Sequence, residues 1–161
     1  MSFESTSAWL AERGFADRIR RFAGSSATVE LAAREIGVEP ARVAKTMAIE
    51  GPEGPLLIVA ADDRRLDGGK FKRTFHAKPH FVAADKCAER VGHAPGGVCP
   101  FGAKPGVPVL IDVSLFAWPT VWPACGDGSS GAEFSPAELE RLLSLLPEQR
   151  VDVCRAPSPA A

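Results

Sequence analysis

Apolar positions along the 161-residue chain recur at two different spacings, and each predicts a different element. Trp9, Phe15, Ile19 and Phe22 share one side of a helical wheel, which predicts an amphipathic helix capped by Ser5 or Ser7 and running to about Phe22. Gly24-Ser25-Ser26 breaks it, and Thr28 is placed to cap a second helix over Val29–Ile36 that Gly37 ends. Pro40-Ala41-Arg42 reads as a single turn with proline at its start. The runs Lys45–Glu50 and Leu56–Ala61 flank Gly51-Pro52-Glu53-Gly54 and predict a hairpin. Asp67 can cap a short helix carrying Lys70, Lys72 and Arg73. Strands are expected at His80–Ala83, Val107–Asp112 and Thr120–Ala124, with a helix over Ala84–Val91 closed by Gly92. Ser135-Pro136-Ala137-Glu138 is a capping box for a last helix through Leu146. Past Pro147 the chain is expected to fray. The order predicts one α/β domain of the α+β type over residues 1–150, its sheet mixed and curled, followed by a Pro/Ala-rich tail over 151–161.

Charge and cysteine usage narrow the partners. A net charge of −1 offers no global basic field, yet between Arg64 and Arg90 eight basic side chains face three acidic ones, a local +5 that fits either a solvated helix face or an acidic partner. Cys87, Cys99, Cys125 and Cys154 form no CxxC and no Cys/His ligand spacing, so neither zinc nor any other metal is expected. The N-terminus has no secretory pattern, and the apolar run Pro55–Ala61 is far too short to span a bilayer. An intracellular, cytoplasmic protein with reduced thiols and no membrane partner is the expectation.

The candidate chemistry is sparse. There is no Gly-x-Ser-x-Gly elbow, no phosphate-binding Walker loop and no dinucleotide fingerprint. His76, His80 and His93 have no nucleophile at a diagnostic spacing, Asp62-Asp63 reads as a solvent-facing turn, and Cys99 reads as a small buried thiol or a nucleophile. What remains is the segment Gly96-Gly97-Val98-Cys99-Pro100-Phe101-Gly102, together with Lys45. Adjacent glycines let a backbone bend sharply and bring N–H groups close to a ligand, while Pro100 fixes its own φ and restrains Cys99. The segment is either a tight turn between strands or a cradle for an anionic or ester-bearing ligand.

Taken in order, several motifs carry a resemblance: Thr28-Val29-Glu30-x-Ala32-Ala33, Arg42-Val43-Ala44-Lys45-Thr46, the apolar hairpin, Gly96-Gly97-x-x-Pro100-Phe101-Gly102, Ile111-Asp112 and Ala124-Cys125-Gly126. Over about residues 26–146 the chain resembles the YbaK/ProXp family, free-standing relatives of the editing insertion domain of bacterial prolyl-tRNA synthetase. The resemblance implies a small barrel-like sheet wrapped by helices. It also implies a cofactor-free deacylase that clears mischarged aminoacyl-tRNA in trans, mostly proline tRNA, with prolyl-tRNA synthetase as a candidate partner. Lys45 would hold the phosphate or ribose end of the terminal adenosine, and the backbone of Gly96 and Gly97 would orient the ester and stabilise its carbonyl oxygen. Thr46, Cys99, Pro100, Phe101, Gly102, Asp112 and Gly126 would complete the substrate site, with Lys70, Lys72 and Arg73 meeting the tRNA. Water would be activated by the substrate's own ribose hydroxyl.

The chain departs from the family pattern at two places. Cys99 stands where serine is common, and Asp127-Gly128-Ser129-Ser130 stands where the synthetase domain has a histidine. The amino acid removed therefore stays open among alanine, cysteine, serine, threonine and a non-protein amino acid. Ala48 and Phe22 are candidate pocket residues. Two other functions fit the same residues: a tRNA-binding or synthetase-associated module without catalysis, and a small-molecule or nucleotide-binding domain.

Overall fold

The computed structural model describes residues 2–22 and 29–157. Its centre is a hairpin of β2 (Val43–Gly51) and β3 (Gly54–Ala61), antiparallel, with Gly51 opposite Gly54 and Ala44 opposite Ala61. Leu56 to Ala61 are all buried, which means both faces of β3 are covered. Alternate residues feed different packing layers. Met47, Ile49, Ile58 and Ala60 meet Phe71, Val151 and Val153, while Val59 and Ala61 join Leu10, Phe101, Ile111, Phe134 and Leu139. Ala48 and Leu57 pack with Val82 and Val91.

Further strands extend this hairpin without closing it. β6 (Val109–Ile111) runs parallel to β3, β5 (His80–Phe81) pairs antiparallel with the end of β2, and β7 (Trp122–Pro123) runs parallel to its start. The result is the expected mixed sheet of a single α/β domain, ordered β5-β2-β3-β6 with β7 also on β2. Two short antiparallel pairs lie beside it: β1 (Ile19–Arg21) with β8 (Ser130–Ala132), and β4 (Arg65–Leu66) with β9 (Cys154–Arg155). Among the described residues no helix is long and apolar enough to cross a membrane.

Most helices follow local signals. α2 (Val29–Ile36) ends at Gly37 with φ +86°; its expected cap, Thr28, and the break at Gly24-Ser25-Ser26 lie outside the described residues. Asp67 caps α3 (Gly68–Phe75), its carboxylate accepting from the Lys70 amide at 2.9 Å. A single turn over Ala84–Lys86 leads into α4 (Cys87–Val91), closed by Gly92 at φ +88°. The Ser135 hydroxyl and Glu138 carboxylate form the capping box of α5 (Pro136–Leu142).

Three expectations are corrected. The first helix, α1 (Phe3–Ala11), is capped by Ser2 rather than Ser5 or Ser7, and stops before Gly14, whose φ is +84°. The apolar stripe breaks there, and Ile19 belongs instead to β1, where it lies opposite Ala132. The last helix ends near Leu142, and Ser144 turns the chain at φ +58°. From Pro147 to Arg155 the chain does not fray: Val151 bridges to Asp112, β9 pairs with β4, and Val153 is fully buried, while residues 158–161 lie outside the described residues. The buried Asp112 carboxylate latches this segment by accepting from the Val153 and Ser114 amides, each at 2.9 Å.

Candidate active site

A cleft of about 350 Å³ opens where the start of β2 meets α2, the glycine-rich loop and the segment from β7 to β8. Parallel pairing sets Val43 beside Trp122 and Ala44 beside Pro123, and so brings residues almost eighty positions apart into one wall. Phe22, Ala32, Ile36, Val43, Ala44 and Val98 give the cleft an apolar lining. Its polar groups come from Lys45, Thr46, Asp127 and Ser130, and Gly96 supplies bare backbone. Such a combination, mostly apolar with a few placed polar groups, is what a small-ligand site requires.

Lys45 sits at one end of this lining. Its ammonium donates to the backbone carbonyls of Asp62, at 3.4 Å, and of Arg64, so the cation is oriented by the turn that follows β3. Burial raises the Asp62 carboxyl above its ordinary range, an effect that the Lys45 charge opposes. Thr46 Oγ1 and the Trp122 indole N–H are both buried, and neither has a hydrogen-bond partner among the described residues. Across the cleft, Asp127 accepts from the Ser129 amide at 2.9 Å and the Ser130 hydroxyl at 2.7 Å, and pairs with Arg21 at 3.4 Å.

The glycine loop reaches the cleft through a turn. The Gly97 amide donates to the Ala94 carbonyl at 3.0 Å, with Gly96 at φ +85°, the left-handed region that a side chain makes costly. Gly97 itself is not part of the lining. A Cβ there would strike the Gly126 carbonyl, 3.0 Å from its carbon, so Gly97 is glycine because two backbones touch. Gly126, at φ +94°, is packed equally closely against Ser2 and Thr6, and a Cβ on it would stand 2.6 Å from the Thr6 hydroxyl. With the Gly97 N–H donated to Ala94, Gly96 is the glycine of the pair whose backbone lines the cleft.

Of the residues expected at the site, Lys45, Thr46 and Gly96 do line the cleft, as does Phe22. The others stand elsewhere, each for a physical reason. Cys99 is fully buried, donates weakly to the Phe101 carbonyl at 3.7 Å, and lies 3.9 Å from His93 Nε2. Burial pushes its thiol up to about 11, opposite to what a nucleophilic thiolate needs. His93 is buried too, and burial lowers its pKa, so it stays neutral. Phe101 is a core ring packed at a tilt between Trp9 and Phe134, while Pro100 and Gly102 line a separate cleft with Trp9 and Arg13. Asp112 is the latch described above, and Ala48 is core. On α3, Lys70 donates to the Asp152 carboxylate at 3.0 Å and to the Cys154 carbonyl at 2.8 Å, whereas Lys72 and Arg73 are exposed and outside the cleft. Trp122, Asp127 and Ser130 join the site without a clear mark in the sequence. Only the Asp-Gly-Ser-Ser turn signal hints at the last two.

Comparison with known proteins gives the chain a family and a fold. The family of aminoacyl-tRNA editing domains matches residues 24–142, which include Lys45, the glycine loop and the Trp122–Gly131 wall. The chain is 39% identical over 157 residues to the uncharacterized protein YwhH of Bacillus subtilis (strain 168), covering 96% of this chain and 98% of that protein. It superposes with a TM-score of 0.85, at 27% identity and 96% and 97% coverage, on the crystal structure of a protein proposed to be a trans-editing enzyme for prolyl-tRNA synthetase. The hypothetical protein APE2540 superposes with a TM-score of 0.80 at 25% identity, covering 92% of this chain and 97% of that one. The chain belongs to the aminoacyl-tRNA editing domain family.

Proposed function

We propose that the protein hydrolyses mischarged aminoacyl-tRNA in trans, with proline tRNA carrying a small non-cognate amino acid as its substrate. The observation that carries this reading is the meeting of Lys45, Thr46 and the Gly96 backbone at one small, apolar-backed cleft. In the proposed reaction water adds to the ester carbonyl carbon, the bond from that carbon to the ribose oxygen breaks, and the ribose oxygen leaves with a proton. The substrate's neighbouring ribose hydroxyl takes the proton from the attacking water while passing its own to the departing ribose oxygen, which asks for no base from the protein. Lys45 holds the phosphate or ribose end of the terminal adenosine, and the Gly96 backbone supports charge on the carbonyl oxygen.

Size explains why such a site is needed. A synthetase pocket rejects a smaller amino acid weakly, because a missing methylene changes binding by only about 1–3 kcal/mol. A second site narrow enough to exclude the correct residue can clear the errors. The apolar wall of Ala32, Ile36, Val43 and Ala44 suits alanine, cysteine, serine, threonine or 2-aminobutyrate. Lys72 and Arg73 on α3 are the proposed contacts to the acceptor stem, and prolyl-tRNA synthetase the proposed partner. The test is a panel of proline tRNAs carrying each of these amino acids and proline itself, assayed for ester hydrolysis. Clearance of at least one mischarged species with prolyl-tRNA spared is expected. Binding without hydrolysis would make the protein a tRNA-binding module, and failure to bind tRNA would favour a small-molecule domain.

A further inference from the structure

Three arginines stand next to cleft-lining residues, and two of them are neutralised. Arg42 precedes Val43 and bonds to Thr120 while facing Glu39 at 3.7 Å and Glu133 at 4.0 Å. Arg21 lies opposite Ser130 and pairs with Asp127. Arg20, opposite Gly131, is exposed and makes no ion pair among the described residues. Its guanidinium instead lies 5.8 Å from the centroid of the Trp122 ring, the buried indole that walls the cleft. An arginine over an aromatic face keeps its N–H fork available to an anion while its plane is held in place. A cation without an ion pair beside the wall of a site is a feature that phosphodiester recognition uses.

We infer that Arg20 receives a phosphodiester of the substrate's 3′-terminal strand where that strand enters the cleft. This contact rests on the tRNA reading above and places the entry of the strand along β1, nearer the cleft than α3. The test measures binding of uncharged proline tRNA, and of the same tRNA lacking its last three nucleotides, by fluorescence anisotropy across a salt series. Arg20→Gln, Arg20→Lys and, as a control from the separate cleft, Arg13→Gln are compared with the unaltered protein. Arg20→Gln is expected to weaken binding of intact tRNA by about tenfold and to lower the salt slope by about 1, with Arg20→Lys recovering much of the loss. The Arg20→Gln penalty should vanish on the shortened tRNA. Equal affinity and slope for Arg20→Gln and the unaltered protein would overturn the inference, as would a penalty that persists without the 3′ end or an equal penalty in Arg13→Gln. Ester hydrolysis of mischarged proline tRNA by the same protein variants separates the two claims. An Arg20-dependent grip without hydrolysis leaves the contact standing and removes the deacylase, whereas hydrolysis indifferent to Arg20 does the reverse.

Discussion

Gly96 and Gly97 are neighbours with different reasons to be glycine. Gly96 has a positive φ and open space where a Cβ would stand, whereas Gly97 touches the backbone of Gly126. Gly96→Ala should therefore cost roughly 1 kcal/mol, the strain of a side chain in the left-handed region. Gly97→Ala must push two backbones apart and should cost about 2–3 kcal/mol while shifting the loop off the 126–127 segment. Chemical denaturation of both variants checks this, and the reverse order of stabilities would contradict the packing described. The loop is legible in the sequence because paired glycines and a proline are rare in combination. Which glycine faces a ligand is not legible, since the answer depends on a contact with Gly126 nearly thirty residues away.

Element boundaries are readable wherever the signal is local. The β2–β3 hairpin declares itself through an unbroken apolar run and a Gly-Pro-Glu-Gly turn, and α5 through its capping box. β1 reads as helix because Phe15, Ile19 and Phe22 fit a helical stripe, and only pairing with β8, more than a hundred residues on, selects the strand. The capping box of α5 carries a pH signature. Hydrogen bonding from Arg18, then from the Ser135 amide, holds the Glu138 carboxyl down to about 2. A carboxylate depressed in the folded state stabilises above its unfolded pKa, and that contribution is lost as pH falls through the folded value. Glu138→Gln should thus lower stability by about 1 kcal/mol at pH 7 and flatten the stability profile between about pH 4.5 and pH 2. A thermal-melting series over that range is the check, and an unchanged acid slope would remove Glu138 from the account. The end of the chain offers a second test at this scale. Val151 and Val153 pack against Ile58 and Phe71, so a chain ending at Arg150 should lose at least about 3 kcal/mol, and one ending at Arg155 almost nothing. Equal denaturation midpoints for the two truncations would mean that β9 contributes no stability.

For the molecule as a whole, the near-neutral charge leaves the proposed recognition to a few cations. Lys45 at the cleft end, Arg20 at the rim, and Lys72 and Arg73 on α3 are cations set into a protein whose net charge is only −1. The architecture and the family can be read from motif order, because the motifs mark the main elements in sequence, and α2, the start of β2 and the glycine loop among them border the cleft. The wall formed by Trp122, Asp127 and Ser130 cannot, because parallel pairing of β7 with β2 is what brings it to the cleft that Lys45 lines.

The central claim is that Lys45 and the Gly96 backbone form a hydrolytic site for an aminoacyl ester, and single-turnover deacylation of mischarged proline tRNA by the unaltered protein and by Lys45→Ala addresses it most directly. The account predicts that the unaltered protein clears a small non-cognate amino acid and that Lys45→Ala, with its melting transition preserved, is slower by at least tenfold, as expected for a charge-assisted contact that contributes about 1.5–3 kcal/mol. A folded Lys45→Ala protein that deacylates as fast as the unaltered one would contradict it.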